Sequence, residues 1–354
     1  PPDSSAADLS STDLAAADLT AADLTAADVT TPDSAAADLV QQDSTQGVDA
    51  AGGPFTLSGS VQKGPFLLGS AITVSTLGSD GFPTGLSFPS STSNDAGEFS
   101  VVIPEPAPVS IEGTGFYFDE LHGTLSGANL TLRAVFDATS GPGPAHVNLV
   151  THLTTARVLH LVQSEGAAYA AAIAQAESEL VAALGVGPEG FSLSGSVGTD
   201  LNATGADETN NAYPLALSAL FLQVAEASES PLDAELQRLL NIVEQDLADD
   251  GLLNAQALTV ADLLRAAEEV LPYIRVMNHL ADHIASTDPG RDLTVDPLPE
   301  IGAIIDTDQD GLVNLDDNCD VTPNPTQDDA DADGIGDVCD FRFSQLDLDG
   351  SLGA

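Results

Sequence analysis

Three aspartates at alternate positions followed by a glycine, Asp306, Asp308 and Asp310 before Gly311, recur as Asp329, Asp331 and Asp333 before Gly334. This pattern constrains the fold more than any other, because carboxylates set so closely repel one another and hold a segment open until a cation cancels their charge. Counting from Asp306, position 7 offers the Leu312 carbonyl, position 9 is Asn314 and position 12 is Asp317. From Asp329 the same count gives the Ile335 carbonyl, Asp337 and Asp340. Successive oxygens at this spacing can turn toward one hard cation, and calcium suits such a site because it takes six to eight oxygen ligands in a flexible shell. The expected metal ligands are therefore these twelve residues, with calcium as the cofactor.

Position 12 is an aspartate rather than the glutamate of a helix-flanked hand, and no helix pattern enters or leaves either loop, so EF-hands are not expected. Cys319 and Cys339 are the only cysteines and stand around the second loop. Joined, they would close a loop worth roughly 3 kcal/mol in the chain-entropy model. The alternative, two buried free thiols, fits less well with polar surroundings.

The segment resembles the thrombospondin type-3 repeat. The match runs through Asp306, Asp308, Asp310, Gly311, Asp317, Asn318, Cys319, Asn324, Pro325, Gln327, Asp329, Asp331, Asp333, Gly334, Gly336, Asp337, Cys339 and Asp340. The resemblance implies chain wrapped around several calcium ions, paired successive cysteines, and an extracellular or bacterial surface setting. Asp320 departs from it, since the family commonly has proline after the first cysteine.

Against 55 acidic residues the chain sets 8 basic ones, a net charge of -47 over 354 residues. That balance excludes nucleic acid, whose binding depends on neutralising phosphates, and electrostatic docking on an anionic membrane. No apolar run is long enough to span a bilayer. The only methionine is Met277, so a removed targeting peptide is expected, with any membrane attachment carried by a lipid upstream of residue 1. A disulfide and calcium loops together point to an oxidising, calcium-rich compartment, secreted or at the cell surface.

The first tract, 1–54, carries aspartate at every fifth position from Asp3 to Asp43 among alanine, serine, threonine and leucine. A period of five matches neither helix nor strand. Ala22, Asp23, Leu24 and Thr25 resemble a pentapeptide-repeat unit, which implies a parallel β-solenoid. The tract supplies about two turns and puts Ser34 and Ser44 where apolar side chains should point inward, so an acidic spacer is expected instead.

The expected fold is multidomain: a β-sandwich-like module (55–145), an α-helical bundle domain (146–288), a linker (289–300) and an irregular, calcium-stabilised C-terminal repeat segment (301–354). Strands are expected at Phe55 to Val61, within Phe66 to Thr76, at Glu98 to Ile103, Val109 to Glu112 and Leu130 to Phe136. The turn Asp95, Gly97 and Phe99 resembles that of carboxypeptidase-regulatory-like surface sandwiches, modules that usually carry no catalysis. Phe116, Tyr117 and Phe118, beside Asp119 and Glu120, either rim a carbohydrate or protein contact or form a packed core edge, and the second is favoured.

Helices are expected up to Gly166, from Ala167 to Leu184 with Gly185 as the stop, from Pro214, from a Ser230 cap, and from a Thr259 cap through Leu263, Leu264, Ala267, Val270 and Ile274 with a kink at Pro272. His279 and His283 share a helix face but lack a third ligand, so zinc is not expected. Phe191 to Val197 nearly repeats Phe55 to Val61, and Asp347, Asp349 and Gly350 open a third, truncated loop.

No nucleophile or acid-base constellation emerges, so the expected function is a non-enzymatic, secreted or surface-tethered calcium-binding structural or adhesion protein. Its partners would be cell-envelope or extracellular proteins, glycans, or further copies of itself. The alternative is a polysaccharide-binding protein or an accessory subunit of a secreted hydrolase.

Overall fold

A computed structural model of the protein describes residues 53–193, 195–196, 208–290 and 298–340. The aspartate pentads and the truncated third loop lie outside the described residues, as does part of the phrase repeated at 191–197. Three parts follow one another: a β-sheet module, a helical bundle and an irregular acidic segment.

In the β-sheet module, β1 (Phe55–Ser60) pairs antiparallel with β4 (Glu98–Ile103). Facing them is a sheet in the order β3-β2-β5-β8, from β2 (Ala71–Leu77), β3 (Pro83–Ser91), β5 (Pro108–Gly115) and β8 (Leu130–Asp137). β4 alternates strictly, with Phe99, Val101 and Ile103 inward, the pattern of a strand with one wet face. The turn before it is fixed by Asn94, whose Oδ1 accepts the Ala96 and Glu98 amides, and by Gly97 at φ 76°, where a Cβ would lie 2.3 Å from the Val61 carbonyl oxygen. A short hairpin, β6 (Phe118–Asp119) with β7 (Thr124–Leu125), leads on toward β8.

The bundle has α1 (Leu149–Glu165), α2 (Tyr169–Leu184), α3 (Glu208–Glu226), α4 (Leu232–Asp250), α5 (Ala255–Glu268) and α6 (Tyr273–Thr287). Asn148 and Thr151 form a reciprocal capping box on α1, and Gly166, Gly185 and Gly251 end α1, α2 and α4 in the left-handed conformation. Ala212, Tyr213, Leu215, Ala216, Leu217, Ala219, Leu220, Phe221 and Leu222 of α3 have no exposed surface. A helix buried on every face sits at the centre of its layer, and α3 does so.

Four helix expectations are corrected. α4 begins at Leu232 with Pro231 as its N-cap and no side-chain capping bond, so Ser230 does not cap it. α3 starts before Pro214, which lies inside it near the N-terminus. α5 starts after Asn254, leaving Thr259 inside the helix with its hydroxyl donating to the Ala255 carbonyl. Pro272 separates α5 from α6 rather than kinking one helix, and Leu263, Val270 and Ile274 are exposed while Leu264 and Ala267 are buried.

Sheet and helices share a main core running from Leu57 and Ile72 through Leu220 and Leu240 to Ile304 and Ile305, with a smaller cluster of Leu77, Val135, Val158 and Tyr169 beside it. Polar joints fix the docking. Tyr117 Oη donates to Asp233 Oδ1 at 2.6 Å, Gln237 Oε1 accepts the Thr131 amide at 2.9 Å, and Thr151 Oγ1 donates to the Arg133 carbonyl at 3.0 Å.

Candidate metal centre

The acidic segment begins where Ile301, Ile304 and Ile305 enter the bundle core through a single 3-10 turn, Ile301–Ala303. Beyond that anchor the chain closes two loops of one conformation, 23 residues apart. In the first, Asp306 accepts the Gln309 amide on Oδ1 at 2.7 Å and the Gly311 amide on Oδ2 at 3.0 Å, while Asp308 accepts Asp310 at 3.2 Å and Asp310 accepts Leu312 at 3.0 Å. In the second, Asp329 accepts Ala332 at 2.8 Å and Gly334 at 3.0 Å, Asp331 accepts Asp333 at 3.2 Å and Asp333 accepts Ile335 at 3.0 Å. Gln309 and Ala332 both adopt positive φ, 60° and 59°, as do Gly311 and Gly334.

Each loop turns one oxygen of its three aspartates to within 4.8 Å of the others. Among the described residues no other group of three acidic, histidine or cysteine side chains is so gathered. Oδ2 of Asp308 is buried and has no hydrogen-bond partner. Desolvation and repulsion from Asp310, Asp317 and Asp306 push Asp308 above the usual carboxylate range, and Asp331 is raised likewise by desolvation and by Asp333, Asp340 and Asp329. Position 12 thus lies close enough in both loops to act on position 3. An orphaned carboxylate oxygen facing like charges is the arrangement a hard divalent cation relieves, so the donor set fits one.

The other predicted ligands are placed differently. Asn314 uses both ends of its amide on Thr307, accepting its N–H at 2.9 Å and donating to Oγ1 at 2.7 Å, and Asp337 Oδ1 accepts the Ala330 amide at 2.8 Å. Position 9 therefore braces position 2 across each loop. Leu312 and Ile335 give their amides to Asp310 and Asp333.

Cys319 and Cys339 form a disulfide with Cα atoms 5.8 Å apart. A polar knot sits beside it: Gln327 Nε2 donates to Asp317 Oδ1 at 2.8 Å, Asn324 Nδ2 to Asn318 Oδ1 at 2.6 Å, and the Gly336 amide to the Asn318 carbonyl at 3.0 Å. A Cβ on Gly336 would meet Asn318, Asn324 and Cys319 within 2.6 Å, so glycine is obligatory there. Apart from Asp317, position 12 of the first loop, these residues carry no metal spacing and only the family resemblance marked them.

Two bundle residues that bear on the site escaped sequence reasoning. Tyr273 at the start of α6 donates its hydroxyl to Asp320, the residue that departs from the family pattern, so Asp320 serves to tie the segment to the bundle. Glu268 at the end of α5 is buried near Asp306 with its Oε1 unpartnered, and burial pushes it up to about 8. Nothing in the spacing of either residue signals this role.

His279 and His283 each turn a ring nitrogen to a backbone carbonyl of the sheet module. His279 Nδ1 lies 3.0 Å from the Glu120 carbonyl, and His283 meets the Asp95 carbonyl at 3.3 Å and stacks on Phe118 at 4.1 Å. They join α6 to the sheet module. Tyr117 and Phe118 are buried and Phe116 is half exposed, so the aromatic group is core rather than an exposed rim.

Fold and site together define a protein with a β-sheet module, a helical bundle and a disulfide-braced acidic repeat able to coordinate divalent cations. None of its described helices is long and apolar enough to cross a membrane. Comparison with family models, with curated proteins and with solved structures yields no match to the chain.

Proposed function

We propose that the chain is a non-enzymatic, secreted or surface-tethered structural protein whose C-terminal segment is folded and stiffened by calcium. The observation that carries this reading is the repeated triplet of aspartates, with the same hydrogen bonds 23 residues apart and an orphaned buried oxygen on Asp308. Oxygen-only ligands favour a hard cation, and the resemblance to thrombospondin type-3 repeats favours calcium among hard cations. Binding energy then becomes folding energy, since the carboxylates repel until the ion arrives. Presentation of the sheet and bundle modules in a cell envelope, adhesive surface or extracellular assembly uses such a device.

The polysaccharide reading draws on an open groove of about 650 Å³ lined by Ser58, Ser60, Ser93, Glu98 and His146. Its one aromatic, Phe99, is 3 % exposed, so it offers no stacking platform, and the structural reading is preferred.

Calorimetric titration of calcium into metal-stripped protein, with scattering to follow size, tests the proposal. Two or more ions bound with compaction are expected, with one ion fewer for Asp308→Asn and one fewer for Asp331→Asn. Absence of binding to the folded, oxidised protein, or magnesium binding as tightly as calcium, overturns it.

A further inference from the structure

The chain has one lysine, and that lysine has no exposed surface. Lys63 lies in the connection between β1 and β2, and Glu120, between β6 and β7, is equally buried. Lys63 Nζ sits 3.0 and 2.8 Å from the two carboxyl oxygens. An ion pair so deeply buried returns little stability, because desolvation of both charges offsets their attraction.

The surroundings favour reaction over pairing. With Nζ in contact with both oxygens, the carboxyl carbon between them is within the reach of a positioned nucleophile. Ser218 on α3 has a single hydroxyl hydrogen, yet its Oγ contacts both the Lys63 carbonyl oxygen, at 2.7 Å, and Glu120 Oε1. One hydroxyl hydrogen therefore serves two acceptors, the Lys63 carbonyl and Glu120 Oε1, so Ser218 can give the buried carboxyl only a shared bond. Burial raises Glu120, with Lys63 and Ser218 opposing it. The face of the Tyr117 ring covers Nζ at 4.7 Å, and a Cβ on Gly64 would lie 2.0 Å from the Phe118 carbonyl oxygen and 2.9 Å from Glu120 Oε2, so glycine lets the two connections pack this closely.

We propose that Lys63 and Glu120 condense inside the folded protein into an intramolecular isopeptide bond. After proton transfer from ammonium to carboxylate, neutral Nζ attacks Cδ of the carboxylic acid. The Nζ–Cδ bond forms, one Cδ–O bond breaks, a proton from Nζ joins the departing hydroxyl, and one water leaves. Nothing is oxidised or reduced and no co-reactant is required. The product replaces two buried charges with a neutral amide, and it ties together chain positions 57 residues apart. Those positions lie where α3 and α6 meet the sheet module, through Ser218 and through His279 on the Glu120 carbonyl. Both ends of the tie lie in the sheet module, so it would lock in place the two connections on which α3 and α6 dock.

Mass spectrometry of the full-length chain, denatured and reduced, is the test. The expected mass is one water below that of the sequence. Because Lys63 is the only lysine, a lysine-specific endopeptidase gives a two-valued readout. The crosslinked chain resists it even when denatured, whereas Glu120→Ala is cut once. Glu120→Gln is expected to condense with loss of ammonia instead of water and so to reach the wild-type mass. A wild-type chain of full sequence mass that is cut after Lys63 overturns the proposal, as does a water loss that peptide sequencing maps elsewhere. The wild-type chain decides alone, whether or not the variants fold.

Discussion

The two acidic loops share a backbone and differ in what lies behind it. At equivalent positions just before the first aspartate, loop 1 has Ile305, with no exposed surface, and loop 2 has Asp328, which is exposed. The amide of position 9 donates to the carbonyl of this residue in both, Asn314 to Ile305 at 2.8 Å and Asp337 to Asp328 at 2.7 Å. Loop 1 is thereby plugged into the bundle core, with the buried Glu268 near its first aspartate and Tyr273 on Asp320. Loop 2 is held by the disulfide, the polar knot and its own turns. Identical local chemistry can thus be run once as part of a core and once as a nearly free-standing clip.

The largest effect should come from making loop 1 resemble loop 2. Ile305→Asp removes a fully buried side chain and puts a carboxylate in its place, which should cost roughly 4 kcal/mol or more. Chemical denaturation should show the bundle weakened while loop 2 keeps its calcium affinity. A loss below about 1 kcal/mol would mean the plug contributes little.

Next in size is the disulfide. Replacing both Cys319 and Cys339 by serine should cost the segment about 3 kcal/mol. Hydrogen exchange should quicken at Ala332 and Gly334 far more than at Gln309 and Gly311, whose loop retains its core anchor. Equal quickening in both loops would show that the bridge, not the bundle, holds loop 1.

Glu268 supplies the pH arm of the comparison. Its folded value of about 8 stands above the ordinary 4.5, so the folded state keeps a proton that the unfolded chain has lost between those limits. The stabilisation is complete below about pH 4.5 and fades as pH rises toward 8. In chelator at pH 7, Glu268→Gln should recover roughly 2 kcal/mol and flatten stability across that window, with the exchange rates of loop 2 unmoved. A profile unchanged by the substitution would remove Glu268 from the docking.

What the sequence disclosed follows the same division. Much that is local was legible: the loop spacing, the Asn94 to Gly97 turn with its following strand, and the glycine stops at Gly166 and Gly185, though the helix starts at Thr259 and Pro214 were not. What depends on distant neighbours was not. β3 contains two prolines, a glycine and three serines, and it is a strand because β2 offers it an edge. Pro272 reads as a kink until Leu271 and Val276 are seen buried on either side of a break. Asp320 reads as a departure from a repeat until Tyr273 reaches it from 47 residues away. Lys63 and Glu120 carry no joint signal at all.

The smallest expected difference is the sharpest test of the shared backbone. Gly311 has φ 99° and Gly334 φ 91°, a region L side chains rarely occupy, and a Cβ at either would meet nothing within 4 Å. Alanine there is penalised by backbone conformation alone, with no steric contribution from the bundle or the bridge. Gly311→Ala and Gly334→Ala should therefore each cost roughly 1 to 2 kcal/mol, which lowers the calcium affinity of the substituted loop about five- to thirtyfold. The two losses should agree within a few tenths of a kcal/mol despite the different surroundings. A Gly311 penalty well below that of Gly334 would mean that the core anchor holds loop 1 in shape when its own turn cannot, so that docking shapes the site as well as positioning it.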